Sequence, residues 1–450
     1  SEMCIRDRWN IAQEEFWKPI ENIANLLKVR FSYGELGNQN INNWYPTYRT
    51  ISIGSLNGDW LQNGLSPNTS SVGGLINTAL TWEKVRTWDV GVDYGLFNNR
   101  LTGSFDYFVR FTEGMVGPSA ELPATLGIST PSSNNSDLRT KGWEVSIGWK
   151  DRLKNGLGYG INLSLSDQIT MIDSYPDNKT LSIDSYLPGY KDGLIWGYET
   201  IGIAKSDEEM QAHLASLPKG GQDAVGSQWA AGDIMYKDLN GDGKISEGAR
   251  TLGDHGDLKI LGDTYSHYFF GIDLNADWKG FDFRAFFQGV LKHDYWGSGN
   301  FTGMLFGVRG GYSRWHTRGF KQHEDYFRAE PAGLEGHELP ANLDSYYPRP
   351  IFSDSSDGTS FGAKNQKVQS RYVQDASYIR LKNLQFGYTL PAKFTNKFGI
   401  NRLRIFVSGE NVWTGTGLTK LFDPETISGG NGGNAYPLSR TWSFGLSLTL

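Results

Sequence analysis

Along much of the chain, apolar and polar residues alternate with a period of two, the signature of a strand with one apolar and one polar face. The clearest case is Trp88, Val90, Val92, Tyr94 and Leu96, followed after Asn98-Asn99 by Leu101, Gly103, Phe105, Tyr107, Val109 and Phe111. Asp89, Asp93, Ser104 and Asp106 occupy the opposite face. Two such runs around an Asn-Asn turn predict a hairpin, with strands of about ten residues where about five or six is ordinary. Comparable runs recur at Lys28–Gly34, Trp143–Trp149, Tyr159–Leu165, Phe270–Trp278, Phe281–Phe287, Tyr378–Leu390 and Arg402–Val412. The last run sets Trp442, Phe444, Leu446, Leu448 and Leu450 against Ser443, Gly445, Ser447 and Thr449. Taken alone, it fits a half-buried strand of a soluble β-sandwich as well as a membrane wall.

The connections change that balance. Short links at 97–100, 151–156, 279–280 and 391–401 alternate with long ones at 113–140, 167–263, 292–371 and 413–438. Tight turns at one end and long loops at the other predict an all-β fold, the C-terminal part of a large antiparallel transmembrane β-barrel. Residues 9–450 are expected to form that portion, with large loop insertions at about 167–263 and 292–371. The expected location is the outer membrane, as a multi-pass β-barrel. Residues 1–8 resemble translated adapter sequence and are expected to be an artefact. A short helix is expected around Glu14–Ile23, and Ser206–Leu217 reads as another, with Ser206 and Glu209 at capping-box spacing.

Composition agrees with alternation. Mean hydropathy is -0.45 although aromatics make up 14% of the chain, as expected when apolar and polar faces average out. No apolar run reaches the length of about 18 residues that a membrane helix needs. A net charge of -6 argues against nucleic acid as a partner. The single cysteine, Cys4, permits no intrachain disulfide.

The strongest local motif is Asp238-Leu-Asn-Gly-Asp-Gly-Lys-Ile-Ser-Glu247. Side-chain oxygens of Asp238, Asn240 and Asp242 can converge on one hard cation, with the Lys244 carbonyl as a fourth ligand. Gly243 allows the sharp turn and Ile245 anchors the loop. This is half of a calcium loop of the EF-hand type, expected to hold structural Ca2+. The twelfth position is Ala249 rather than Glu, so Glu247 or an outside carboxylate such as Asp233 would have to substitute. An Asx-rich turn that binds nothing accounts for the same residues. Among the aromatics of the long loops, Trp44, Tyr45, Trp196, Trp296 and Trp315 are the candidate substrate contacts, and Tyr346 and Tyr347 belong to the same group. Such rings suit sugar faces or peptide side chains, and equally the packing of loops on one another. The seven histidines show no zinc spacing, and no nucleophile elbow or P-loop is present. The glycine-rich stretch 429–434 reads as a flexible loop tip.

Several stretches together resemble one family. They include Leu27-Lys-Val-Arg-Phe-Ser-Tyr-Gly-Glu-Leu-Gly-Asn-Gln39, Leu80-Thr-Trp-Glu-Lys84, Thr140-Lys-Gly-Trp-Glu-Val145 and Gly232-Asp-Ile-Met-Tyr-Lys-Asp-Leu-Asn-Gly-Asp-Gly243. Tyr378-Ile-Arg-Leu-Lys-Asn-Leu384, Gly409-Glu-Asn-Val-Trp413, Asp423-Pro-Glu425 and Arg440-Thr-Trp-Ser-Phe-Gly445 complete the series. The chain resembles the C-terminal part of a SusC/RagA-like TonB-dependent outer-membrane transporter. The resemblance implies a barrel of about 22 strands set in outer-membrane lipid. It also implies a SusD-like surface lipoprotein partner, and import of a glycan or peptide substrate driven by the TonB complex. The family's plug domain and TonB box lie N-terminal of the stretches matched here. No enzymatic activity is expected. A secreted β-rich carbohydrate-binding or adhesin protein is the alternative reading of the same aromatics and calcium loop.

Overall fold

The computed structural model describes residues 3–39, 45–55, 61–119, 123–128, 130–297, 305–306, 320–351, 363–427 and 435–450. Eleven strands form one antiparallel sheet in chain order, each hydrogen-bonded to the next. They are β1 (Met3–Asn10), β2 (Ala24–Asn38), β3 (Glu83–Leu96), β4 (Leu101–Pro118), β5 (Ser132–Arg152) and β6 (Gly158–Ser174). After the first large insertion come β7 (His267–Trp278), β8 (Phe281–Lys292), β9 (Tyr378–Thr389), β10 (Arg402–Thr416) and β11 (Thr441–Thr449).

The sheet is open. β1 and β11 are its two edges, each with one strand neighbour. This corrects the expectation of a transmembrane β-barrel and, with it, the expectation of a multi-pass barrel location. The physical reason is that alternation is local. It specifies which face a side chain takes, whereas closure requires that the edge strands meet. β11 is exposed along almost its whole length, with Phe444 at 85% and Leu446 at 62%. The strands also exceed the predicted length: β4 has 18 residues and β5 has 21.

The turns form as their residues dictate. Phe97, Asn98 and Asn99 all have positive φ, as does Lys279 before Gly280. Paired left-handed residues twist a tight turn in the sense that the flanking strands require. Residues 3–10, which include most of the stretch 1–8 expected to be an artefact, pair with Lys28–Glu35 in antiparallel register. The stretch expected as a helix near Glu14 forms two 3-10 turns, Ile11–Gln13 and Glu15–Ile20, the second containing Pro19.

Two compact units divide the chain, one comprising Ser1–Val145 with Asp167–Asp192, the other Ser146–Ser166 with Gly193–Leu450. In the first unit the sheet has inverted burial. Phe31, Val90 and Phe105 are 45%, 39% and 44% exposed. Arg30 meanwhile bridges Asp93 at 3.0 Å and Asp106 at 2.8 Å on the other face, all three side chains less exposed than those apolar ones. The second unit repeats the arrangement, with Arg404 bonded to Asp282 and Phe386 and Ile405 exposed.

The second unit also carries a small folded insertion. Leu194–Tyr198 pairs with Leu258–Asp263, and Thr200–Ile203 pairs with Ile234–Tyr236. The helix α1 (Asp207–Ala215) begins at Ser206, whose hydroxyl accepts the Glu209 N–H at 3.2 Å. The Glu209 carboxylate in turn accepts the Lys205 N–H at 2.6 Å, one residue before the cap. Met210, Ile234, Tyr236 and Ile245 are completely buried, so this insertion has an apolar core of its own.

Candidate functional site

The acidic loop forms as a series of Asx turns within the insertion. Asp238 accepts the Gly241 N–H at 2.6 Å and the Gly243 N–H at 2.9 Å. Asn240 accepts from Asp242 at 2.9 Å, and Asp242 accepts from Lys244 at 3.1 Å. Gly243 has φ +81, a conformation that favours glycine. Ile245, fully buried, donates its N–H to Gly221 O at 2.8 Å and ties the loop down. Glu247 turns to Arg250 at 2.7 Å. Asp233 is engaged elsewhere, as described below.

The carboxylate that closes the loop is one the sequence reading did not select. Asp257 is completely buried and accepts N–H bonds from Leu239 and Ser246, both at 2.8 Å. Burial pushes its carboxyl up, as does the negative charge of Asp238, while backbone donors at Ser246, Leu239 and Asn240 pull the other way. Burial also acts to raise Asp238, but the N–H groups of Gly243, Gly241 and Asp242 outweigh it and leave the carboxyl below its ordinary value. Among the described residues, neither acid has a cationic partner. Two facing carboxylates without a counter-charge fit a divalent cation chemically, although among the described residues no three His, Cys, Asp or Glu side chains are gathered closely enough to hold one.

Beside the loop lies a buried ion network. Asp233 and Lys364, both side chains fully buried, pair at 2.7 Å. Arg349 Nε donates to the other Asp233 oxygen at 2.7 Å, and Asn365 Nδ2 does so at 2.9 Å. Lys364 Nζ also donates to the carbonyls of Ser227 and Gln228, at 2.9 and 2.7 Å. Burial lowers the Lys364 pKa, against the pull of Asp233. The network joins the first insertion to the segment leading into β9.

A tyrosine cluster adjoins the second insertion. Tyr346 lies 4.8 Å from Tyr347 and 5.3 Å from Tyr372, and Phe306 lies 4.8 Å from Tyr372. Burial pushes the phenols of Tyr347 and Tyr372 upward. A cleft of about 680 Å³ opens beside Tyr346 and Tyr347, with Arg328, Asn342, Gln374 and Thr419 in its wall. Separately, buried Arg380 of β9 holds Asp423 through one nitrogen to both oxygens at 2.8 Å, and Glu425 at 2.8 Å.

The expected aromatics are distributed differently. Tyr45 is 64% exposed and packs edge-on against Tyr48. Trp196 is half-buried, 5.4 Å from the His255 ring. Trp296 is half-buried. Trp44, Trp315 and the stretch 429–434 lie outside the described residues. Arg328 and Asp257 had no sequence signal, because neither sits in a recognisable spacing.

Comparison with known proteins agrees with this architecture. The family described as "TonB dependent receptor-like, beta-barrel" matches residues 16–201. TonB-dependent receptor P3 of Formosa agariphila is 29% identical, over 98% of this chain and 41% of its own length. TonB-dependent receptor SusC of Bacteroides thetaiotaomicron is 23% identical, over 98% of this chain and 39% of its own. The solved structure of the RagAB peptide transporter superposes with a TM-score of 0.69 at 20% identity, covering 99% of this chain and 43% of that one. The chain thus spans about two fifths of the length of the curated relatives it matches. Along nearly all its residues the chain is thus similar in sequence to TonB-dependent receptors, SusC among them, and similar in fold to the RagAB peptide transporter.

Proposed function

We propose that the full-length protein imports oligopeptides or glycans across the outer membrane, with energy supplied through TonB and with a surface lipoprotein as partner. The observation that carries this reading is the likeness of nearly the whole chain to the RagAB peptide transporter, joined to sequence relatives that are TonB-dependent receptors. The role is transport and not catalysis. The exposed apolar side chains of the sheet support outer-membrane lipid as a further partner, since a solvent-exposed apolar face of this extent marks an interaction surface. The long loops would capture the substrate, with Trp44, Tyr45, Trp196, Trp296 and Trp315 as its candidate contacts.

The acidic loop has a structural part in this reading. Asp238, Asn240, Asp242 and the Lys244 carbonyl would hold Ca2+, with Asp257 completing the set. Glu247, although within the motif, is paired with Arg250 and would first have to leave it. The ion would fix one loop of the capturing surface, and no transport step passes through it.

Deleting the encoding gene tests the import reading. Growth on an oligopeptide or glycan mixture as sole nutrient should be lost and then restored by the full-length gene. Undiminished growth on every such mixture contradicts it.

A further inference from the structure

Arg328 is only 7% exposed, yet among the described residues no acid forms an ion pair with it. Its Nε donates to Pro340 O at 2.8 Å, and its Nη1 donates to Glu324 O at 2.5 Å and Tyr326 O at 3.2 Å. The guanidinium carbon sits 4.4 Å from the centre of the Tyr326 ring. Among the described residues, no carboxylate forms an ion pair with it and Nη2 has no hydrogen-bond partner. Other buried cations in the same unit are neutralised: Lys364 by Asp233, and Arg380 by Asp423 and Glu425. A buried cation is costly unless it is paired, so an unanswered one facing a cleft points to a charge supplied from outside.

The surroundings define what that charge belongs to. Three backbone carbonyls and the Tyr326 ring fix the guanidinium before any ligand arrives, so little freedom remains to be lost on binding. The cleft of about 680 Å³ places Tyr346 and Tyr347 in the same wall, giving an apolar surface beside the charge. Asn342 Nδ2 is already committed to Asp325 Oδ1 at 2.8 Å, and Gln374 Nε2 to Tyr372 O at 2.9 Å. Glu324 and Asp325 also line the cleft, and Lys321 adds one exposed cation. Those acids disfavour a polyanion, whose repulsion grows with each added charge, more than a ligand with one carboxylate.

We propose that the cleft is a carboxylate subsite, in which Arg328 Nη2 binds one carboxylate of an oligomer whose body lies on Tyr346 and Tyr347. The proposal rests on the import reading and narrows its substrates to oligomers with a single acidic end or branch. A peptide's C-terminal carboxylate and a uronate on a glycan both offer that group.

Calorimetric titration of the full chain in detergent tests it with two matched pairs of probes. One pair is tetra-alanine with a free C-terminus and its amide. The other is xylotriose bearing one glucuronate and the corresponding methyl ester. In one pair the free acid should bind about tenfold more tightly than its capped form, as a charge-assisted bond requires. That pair identifies the source. Arg328→Gln should bring acid and capped form together, whereas Tyr346→Ala should weaken both and keep their ratio. If Arg328→Gln fails to fold, the comparison on the unsubstituted chain decides alone. Equal affinity of acid and capped form in both pairs, or no binding of any probe, overturns the subsite. TonB-dependent uptake would survive that result, so the two readings fail separately.

Discussion

Lys364 and Asp233 form an ion pair at 2.7 Å in which neither side chain reaches solvent. They stand 131 residues apart in sequence, so the contact fastens one loop insertion to the segment that enters β9. Removing one member leaves the other charged, buried and unmatched. Lys364→Ala should therefore destabilise the chain by about 3–5 kcal/mol, read from denaturant unfolding. A loss below about 1 kcal/mol, the range of an exposed pair, would show that the pair is solvated.

Asp257 supplies a pH dependence of definite sign. Its carboxyl is raised above the ordinary 3.8, chiefly by burial. Between that value and the raised one, the folded chain keeps a proton that the unfolded chain has lost. Stability should fall as pH rises through this window, and Asp257→Asn should flatten the profile there. Asp238 acts in the opposite sense at lower pH, since its carboxyl is depressed. The difference between the parent and Asp257→Asn profiles isolates the first effect. An unchanged profile contradicts the assignment.

Calcium should reverse that trend, because binding requires both carboxylates to be deprotonated. Titration of Ca2+ into the folded chain should be saturable. Asp242→Ala should remove it, while Glu247→Gln should leave it intact because Glu247 is held by Arg250. Binding that survives Asp242→Ala would exclude the loop.

Arg380, 2% exposed, holds Asp423 and Glu425 against β9. Arg380→Ala should free the segment around 417–427 and expose it to limited proteolysis, with a loss of about 3–5 kcal/mol. Resistance equal to that of the parent chain would mean that the segment is held by other contacts.

The strands were legible in the sequence because period-two alternation is a local property, and it located every sheet strand from β2 to β11. β1 is not visible as alternation: Met3–Asn10 lies mostly within the stretch 1–8 and shows its pairing with β2 only in the fold. The α1 cap was legible from Ser206 and Glu209 for the same local reason. Closure is a non-local property: the alternation within Thr441–Thr449 sets the faces of the strand and not the strand it meets. The acidic loop was found by its spacing, but Asp257 comes 15 positions or more after Asn240 and Asp242, and only folding brings it close. Arg328 was invisible because its partners are backbone carbonyls, which carry no sequence signature.

The most direct measurement of the import reading is uptake of a fluorescently labelled oligopeptide or oligosaccharide by cells producing the full-length protein, with and without a functional TonB. The account predicts accumulation that requires both the protein and TonB. Accumulation at the same rate in cells lacking TonB would contradict it.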